Sequence, residues 1–419
     1  MQRTVLSPQG LRRIYGTGPH PSAALWAITS LMLLAQTAQA QEISPLQIGD
    51  GATRFTVGGS VYGTVATAFQ PDAHDLGTKS ISAAALLTTR LTQQLGDGEQ
   101  LSLSGIFYPY HDRYSADNYG SDLVQKLYGS WTGAYGQLQI GMTDGAAYAM
   151  GLTGPVVDNE VSTETHNATF FPDPASHRVM VDHYAFNSTV ETSFNYAKIA
   201  YYTPEWQGFS FGVSYAPGEG KWVIPFVDAG ARHSGRQTNI WEVGGNYHTM
   251  IGPVQAAFSG GAGFSHASKA DKDPHQAGLT DWALGAEFSL PVGEQDTIGV
   301  GGAYHVSNAF GFCIEDTRKD GKTDSAHASI LYTHASWSFG AEYSDGTARS
   351  RMPLQNIGVR AYAASVGYRV NANWMVSLGW QQMRYHGSED FYNGSDRIRM
   401  DALFLHLHFD VAQPALTSP

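Results

Sequence analysis

Apolar residues recur at every second position along most of this sequence, and this alternation restricts the folds that the chain can adopt. Residues 208–215 (GFSFGVSY) place four large apolar residues on one face and Ser or Gly on the other. The same pattern is found in residues 282–290 (WALGAEFSL) and 337–343 (WSFGAEY). Side chains alternate between two faces in a β-strand, whereas a helical repeat is hard to find here. The sequence therefore predicts an all-β fold.

The residues opposite the apolar ones indicate the environment of these strands. The outward face of a soluble sandwich or propeller is rich in Lys and Glu. Here that face is mostly Gly, Ser, Ala and Thr, in a chain with 47 glycines and only 15% charged residues. A small polar face fits a wall around enclosed water, and the apolar face fits contact with lipid. We therefore predict a transmembrane antiparallel β-barrel.

The alternation marks sixteen strands between residues 54 and 411. An even number lets the first strand pair with the last, which removes the exposed edges that a bilayer does not tolerate. Short turns such as residues 96–98 and 371–373 alternate along the chain with longer polar segments. Barrels with short periplasmic turns and long external loops have this arrangement. Residues 144–193, which follow the fifth strand, exceed ordinary loop lengths, and we therefore predict a function for them.

Both ends of the chain are predicted to lie outside the barrel. Residues 1–40 have the pattern of a cleaved secretory signal peptide, in which Arg3, Arg12 and Arg13 precede an apolar core and an Ala-Gln-Ala cleavage site. Residues 41–53 are predicted to be a periplasmic N-terminal segment, and residues 412–419 a C-terminal tail. No stretch after residue 40 approaches the length of an apolar membrane helix, so strands would have to cross the membrane.

Charge and cysteine content exclude several kinds of function. Residues 1–40 hold three basic and no acidic residues, so 22 basic and 37 acidic residues remain after cleavage, with a formal net charge of −15. This balance excludes a nucleic-acid-binding protein. A single cysteine, Cys313, allows no internal disulfide and no zinc site built on paired cysteines. The 16 histidines are scattered, so we predict neither a metal site nor a cofactor.

Two segments carry a resemblance to a known family. Residues 126–141 (KLYGSWTGAYGQLQIG) resemble the hairpin before the constriction loop of the general porins of Gram-negative bacteria. Residues 199–217 (IAYYTPEWQGFSFGVSYAP) resemble the strand, the Pro-containing turn and the strand after that loop. The resemblance covers nearly the whole mature sequence. It implies a sixteen-stranded homotrimer in the bacterial outer membrane that conducts ions and small hydrophilic solutes by passive diffusion.

The resemblance also implies site residues. In that family the third external loop folds into the barrel, and acidic groups on it face basic side chains on the opposite wall. Residues 144–193 would be this loop. Its acidic candidates are Asp144, Asp158, Glu160 and Glu164. The candidates for the basic wall are Arg90, Lys126 and Lys198, and further candidates are Arg54 and Arg360. Opposed charges order water across a narrow lumen, and the net charge of −15 predicts weak cation preference.

Two alternatives remain. His305-Val306-Ser307-Asn308 resembles the His-x-Ser-Asn segment of outer-membrane phospholipase, whose His and Ser face lipid. The alternation instead directs His305 and Ser307 toward the lumen, so we predict no catalytic residues and no enzyme. A channel specific for one class of substrate, such as sugars, stays open as the second alternative.

Overall fold

The computed structural model describes residues 43–69, 79–111, 123–163, 188–219, 237–268, 277–309, 321–351, 354–386 and 397–411. The predicted signal peptide, Glu164 and the predicted tail 412–419 lie outside these residues. In the described part of the chain, no helix combines the length and the apolar character needed to cross a membrane.

Seventeen strands form within the described residues, and all of them belong to one sheet. They are β1 Leu46–Gly49, β2 Thr53–Phe69, β3 Lys79–Gly96, β4 Glu99–His111, β5 Val124–Gly133, β6 Gly136–Met142, β7 Ala197–Tyr202, β8 Phe209–Gly218, β9 Gln237–Ile251, β10 Val254–Ala267, β11 Thr280–Pro291, β12 Asp296–Ser307, β13 Lys322–His334, β14 Trp337–Arg351, β15 Leu354–Arg369, β16 Trp374–His386 and β17 Arg397–Val411.

Strands β2 to β17 form a closed ring. Each pairs antiparallel with the next strand along the chain, and β17 pairs back onto β2. This confirms the predicted barrel of sixteen strands. The short β1 pairs with β2 along the same edge as β17, since Leu46 lies opposite Val57 and Val411 lies opposite Gly59. Residues 41–53 therefore include a short strand that the sequence analysis did not predict.

The side chain of Asn373 joins the two ends of the barrel chain. Its Oδ1 accepts a hydrogen bond from the Ile43 backbone N–H at 2.7 Å. Its Nδ2 lies 2.8 Å from the Ile43 carbonyl oxygen and 2.7 Å from the Asp410 carbonyl oxygen. Because Asn373 itself is buried, these bonds are shielded from water and fasten the first described residues beside the last strand.

The two faces of the ring have the predicted polarity. Large apolar side chains such as Val65, Phe211 and Leu284 are more than half exposed on the outside. Small polar side chains such as Thr88, Ser214 and Ser344 are almost fully buried on the inside. Burial of polar groups and exposure of apolar groups reverse the arrangement of a soluble protein. The barrel therefore places its apolar face toward lipid.

Aromatic pairs occur near both ends of the strands. Trp337 with Tyr368, and Trp374 with Phe409, have ring centroids 4.6 Å and 4.7 Å apart near the short turns. Tyr215 and Trp241 form a comparable pair, 4.7 Å apart, toward the longer connections. Rings in these positions mark the two interfaces of the membrane.

Strands β14 and β15 extend beyond the predicted limits. The alternation of apolar residues predicts one strand over residues 336–344 and the next over residues 356–370, but the ladder continues from Asp345 opposite Arg360 to Arg351 opposite Leu354. In this part of β14, Asp345 and Arg349 lie on the outer face while Ala348 is buried inside. The outer face is polar there, so no alternation of apolar residues marks this part of the strand.

Candidate functional site

The described residues between β6 and β7, 143–163 and 188–196, follow the inner face of the barrel. They contain a single helical turn, α1 Ala146–Ala149, and a 3-10 turn, Asn159–Val161. The Ala146 N–H donates to Ser214 Oγ on β8, the Leu152 N–H to Ser259 Oγ on β10, and Asp158 contacts Ser377 on β16. We call residues 143–163 the inner segment. Its contacts run from β8 to β17 along the wall.

Inward-facing carboxylates hold this inner segment by its backbone. Glu242 on β9 accepts the Ala147 N–H at 3.2 Å and the Ser193 N–H at 2.6 Å, so it binds both the outgoing and the returning chain. Glu287 on β11 accepts the Gly154 N–H at 3.0 Å. Hydrogen bonds between backbone N–H groups and a carboxylate are charge-assisted and stronger than neutral ones.

Glu342 on β14 binds the end of the described inner segment. It accepts the Thr163 N–H at 2.9 Å and the Ser162 hydroxyl at 2.6 Å. On the returning chain, the Thr192 hydroxyl donates to Asp281 on β11 at 3.1 Å. Four acidic side chains on three strands therefore bind the chain that passes through the interior.

Glycines on the wall provide the space for the inner segment. A Cβ on Gly285 would come within 2.1 Å of the Leu152 carbonyl oxygen, and one on Gly244 within 2.7 Å of the Ala146 carbonyl oxygen. A Cβ on Gly340 would lie 2.7 Å from Val157 Cγ2. Contacts below 3.0 Å are too close for a Cβ, so Gly285 and Gly244 let the backbone of the inner segment approach the wall, and Gly340 makes room for the Val157 side chain.

The predicted basic residues Arg90, Lys126 and Lys198 lie on the inner faces of β3, β5 and β7. Lys126 Nζ is 2.6 Å from Asp144 Oδ2, and both side chains are partly exposed. Lys198 is fully buried, and its ammonium group donates to the carbonyl oxygens of Thr143, Ser193 and Phe194. Lys198 therefore fastens both ends of the connection between β6 and β7, whereas Lys126 and the half-buried Arg90 face the interior space.

The other two basic candidates are placed differently. Arg54 is exposed where the short turn after β1 enters β2. Arg360 lies on the outer face of β15, between the buried Val359 and Ala361, and its Nε is 2.6 Å from Asp345 Oδ2. The prediction that Arg360 belongs to the lumen wall is therefore wrong, since the side chain points away from the lumen.

The acidic candidates of the inner segment lie at different places along it. Asp144 stands at its start beside Lys126, and Asp158 is buried near its end, where Oδ1 accepts the Glu160 N–H at 3.0 Å. Glu160 belongs to the same 3-10 turn and is half-buried. The negative charge of Glu191 raises the pKa of the Tyr148 hydroxyl.

His305 and Ser307 face the interior, as the alternation predicted. Both are buried, and His305 Nε2 is hydrogen-bonded to Asp281 Oδ1. Ser307 Oγ accepts the Ala309 N–H at 3.0 Å rather than contacting the His305 ring. The geometry of this pair differs from a nucleophile bound to its base.

Sequence reasoning missed Glu242, Glu287 and Glu342 as anchors of the inner segment. A repeated pattern could have indicated two of them, because Gly-Ala-Glu-Phe-Ser at 285–289 and Gly-Ala-Glu-Tyr-Ser at 340–344 each place Gly and Glu on the same inner face. Such a pair provides a space for a backbone and an acceptor for its N–H group.

Comparison with known proteins identifies the family. A family model described as Gram-negative porin matches residues 27–398. The chain belongs to the Gram-negative porin family. This porin is accordingly a channel of the bacterial outer membrane. None of the curated proteins matches its sequence significantly.

Solved structures show the same fold at low sequence identity. The outer membrane channel DcaP of Acinetobacter baumannii has a TM-score of 0.55 at 9% identity, over 88% of this chain and 100% of that one. OmpF of Salmonella typhi, in complex with daunomycin, has a TM-score of 0.55 at 13% identity, over 87% and 100%. The trimer form of OmpT of Vibrio cholerae has a TM-score of 0.52 at 12% identity, over 86% and 99%.

Proposed function

We infer that this porin is a water-filled channel through which ions and small hydrophilic solutes diffuse passively, and that the inner segment narrows the passage. The observation that carries this proposal is the binding of the inner segment to the wall by Glu242, Glu287 and Glu342. A chain fixed against a polar wall reduces the cross-section of the lumen without closing the ring.

The charges support a field across the passage. Acidic side chains are concentrated on β9, β11 and β14, and Arg90 and Lys126 lie on β3 and β5. Opposed charges favour polar solutes over apolar ones. We further propose weak cation preference, which the surplus of acidic residues in the sequence supports. A cavity of about 640 Å³ beside Pro155 and Glu287, on the side of the short turns, is large enough for small solutes.

The proposal extends to processing and assembly. Residues 1–40 act as a signal peptide that is cleaved on export, and residues 412–419 remain as a tail. The mature barrel assembles as a homotrimer in outer-membrane lipid, which the trimer form of the OmpT structure supports by fold similarity. We propose that it is no enzyme, because the buried Ser307 hydroxyl accepts a backbone N–H while His305 binds Asp281.

Single-channel recording in planar bilayers tests this function. Purified folded protein should give discrete conductance steps that vary linearly with voltage, and liposomes containing it should admit small sugars regardless of their stereochemistry. Reversal potentials in a salt gradient should show weak cation preference. Saturable block by one sugar would instead favour the substrate-specific channel, and folded protein without conductance would contradict both.

A further inference from the structure

A cluster of potential metal ligands lies where the 3-10 turn of the inner segment meets the last strand. His406 and His408 occupy successive inward positions of β17, and Asp158 approaches them from the inner segment. One ligand atom from each residue lies within 4.8 Å of those of the other two. Asp158 and His406 are buried, and His408 is half-buried.

The ring of His406 is oriented as a metal ligand would be. Its Nδ1 is 2.8 Å from Thr64 Oγ1 on β2. Its Nε2 is fully buried and has no hydrogen-bond partner, and it lies 3.6 Å from Asp158 Oδ2. Histidines that bind metals usually donate a hydrogen bond from the other ring nitrogen, which fixes the ring and its tautomer. Thr64 Oγ1 is placed to accept such a bond when an ion is bound, which would leave the lone pair of Nε2 for the ion.

Asp158 has similar support. Ser377 Oγ on β16 lies 3.2 Å from Oδ2, and the Glu160 N–H donates to Oδ1 at 3.0 Å. These contacts hold the carboxylate plane while a lone pair of Oδ2 stays available on the side of His406. Buried polar atoms nearly always have hydrogen-bond partners, and His406 Nε2 lies 3.6 Å from Asp158 Oδ2, too far for a hydrogen bond, so both atoms are available to an ion between them.

We propose that Asp158, His406 and His408 bind a divalent transition-metal ion of the zinc class inside the barrel. Two imidazole nitrogens and a carboxylate oxygen form a ligand set that zinc accepts, and a water molecule or a passing solute completes a tetrahedron. Bonds of about 2.0–2.1 Å place ligand atoms about 3.3 Å apart, so the three groups, whose ligand atoms lie within 4.8 Å of one another, would close by at most about 1.5 Å around the ion. Calcium and magnesium, which prefer oxygen ligands, fit this set less well.

The ion would join the inner segment to a different strand from those whose carboxylates hold its first half. Glu242 and Glu287 bind residues 147 and 154, whereas the metal would fix residue 158 to β17. Metal binding at this place is separate from channel function, and it can be measured without recording conductance.

Titration of the folded protein with Zn²⁺ tests the site. The protein should carry no polyhistidine tag and should first be treated with a chelator. Calorimetry should give one Zn²⁺ per chain, and Co²⁺ in its place should give the visible absorption of a tetrahedral ion. His406→Ala and His408→Ala should each remove this binding, and Thr64→Val should weaken it by about tenfold or more, because it removes only the acceptor for the His406 ring.

His334→Ala is the matched control. That histidine also contacts a carboxylate, with Nδ1 2.8 Å from Asp296 Oδ1, but it is exposed at the rim of the short turns. Removal of the His334 ring should leave the binding stoichiometry at one Zn²⁺ per chain. Circular dichroism of each variant shows whether the barrel has folded. Asp158→Asn removes the charge of the carboxylate ligand and keeps the packing, because the two side chains have the same shape. If folded His406→Ala and His408→Ala still bind one Zn²⁺ as tightly as the unaltered chain, or if the unaltered chain binds none, the proposal is wrong.

Discussion

The two walls of the lumen carry opposite charges and use them differently. On β9, β11 and β14 the carboxylates of Glu242, Glu287 and Glu342 bind backbone N–H groups of the inner segment and its returning chain. On β3 and β5, Arg90 and Lys126 face the interior, and Lys126 meets only the start of that segment through Asp144. The acidic wall therefore supports structure, whereas the basic wall is placed to act on passing ions.

The difference follows from what each charge can bind. A backbone segment presents N–H donors at regular intervals, and a carboxylate accepts several of them. An ammonium group cannot accept, so Lys198 is used where carbonyl oxygens of residues 143, 193 and 194 converge. Removal of a structural charge should therefore change stability and pore size, and removal of an exposed one should change selectivity.

The largest effect is expected for Glu242→Ala. It leaves the buried N–H groups of Ala147 and Ser193 without acceptors, at a cost of about 1–3 kcal/mol for each group. The inner segment and its return should detach from β9, so single-channel conductance should rise and the free energy of unfolding in urea should fall. Glu294→Ala, in the exposed short turn after β11, is the control and should change neither quantity. Unchanged conductance and stability in Glu242→Ala would show that this carboxylate does not hold the inner segment.

A smaller effect is expected for Gly285→Ala. The added Cβ would meet the Leu152 carbonyl oxygen at 2.1 Å, so the inner segment must move away from β11. Overpacking of this kind costs about 1–3 kcal/mol. Single-channel recordings should show openings with a larger conductance or with more current noise. Gly129→Ala is the matched control, because its Cβ would meet only the Ser102 carbonyl oxygen, at 3.9 Å. Equal conductance and equal current noise in the two variants would show that the inner segment does not pack closely against β11.

The sequence predicted the ring better than it predicted the anchors. Alternation is a local property, and it identified all sixteen strands of the ring because lipid and water act on every strand in the same way. Lys126 lies on β5 and Asp144 directly follows β6, the other strand of the same hairpin, so family resemblance could place both. The partner of Glu342 is the backbone of residue 163, 179 positions away, and a backbone N–H leaves no pattern in a sequence. The prediction for Arg360 was wrong because strands that extend beyond the apolar band carry polar residues on the outer face as well, so a charged side chain there does not indicate the lumen.

A selectivity change without much loss of stability is expected for the Lys126–Asp144 pair. Both side chains are partly exposed, so the pair contributes only about 0–1 kcal/mol to folding. Lys126→Met removes a positive charge from the interior and should shift the reversal potential toward cations, whereas Asp144→Asn should shift it toward anions. The two shifts should shrink as ionic strength rises, because salt screens exposed charges. Shifts of the same sign would show that these two charges do not act directly on the permeating ions.

The smallest effect is expected for Arg360→Ala, and it separates the two sides of the wall. Arg360 contacts Asp345 on the outer face, and Arg384 and Arg399 follow it in register on the next two strands, also on that face. A partly exposed ion pair of this kind contributes less than about 1 kcal/mol. The buried Val359 and Ala361 beside it show that the strand itself lies between this guanidinium and the lumen. The reversal potential should therefore remain that of the unaltered channel, although the change removes a full positive charge, as Lys126→Met does. A shift as large as that of Lys126→Met would mean that the charge acts on ions through the mouth of the barrel rather than from its wall.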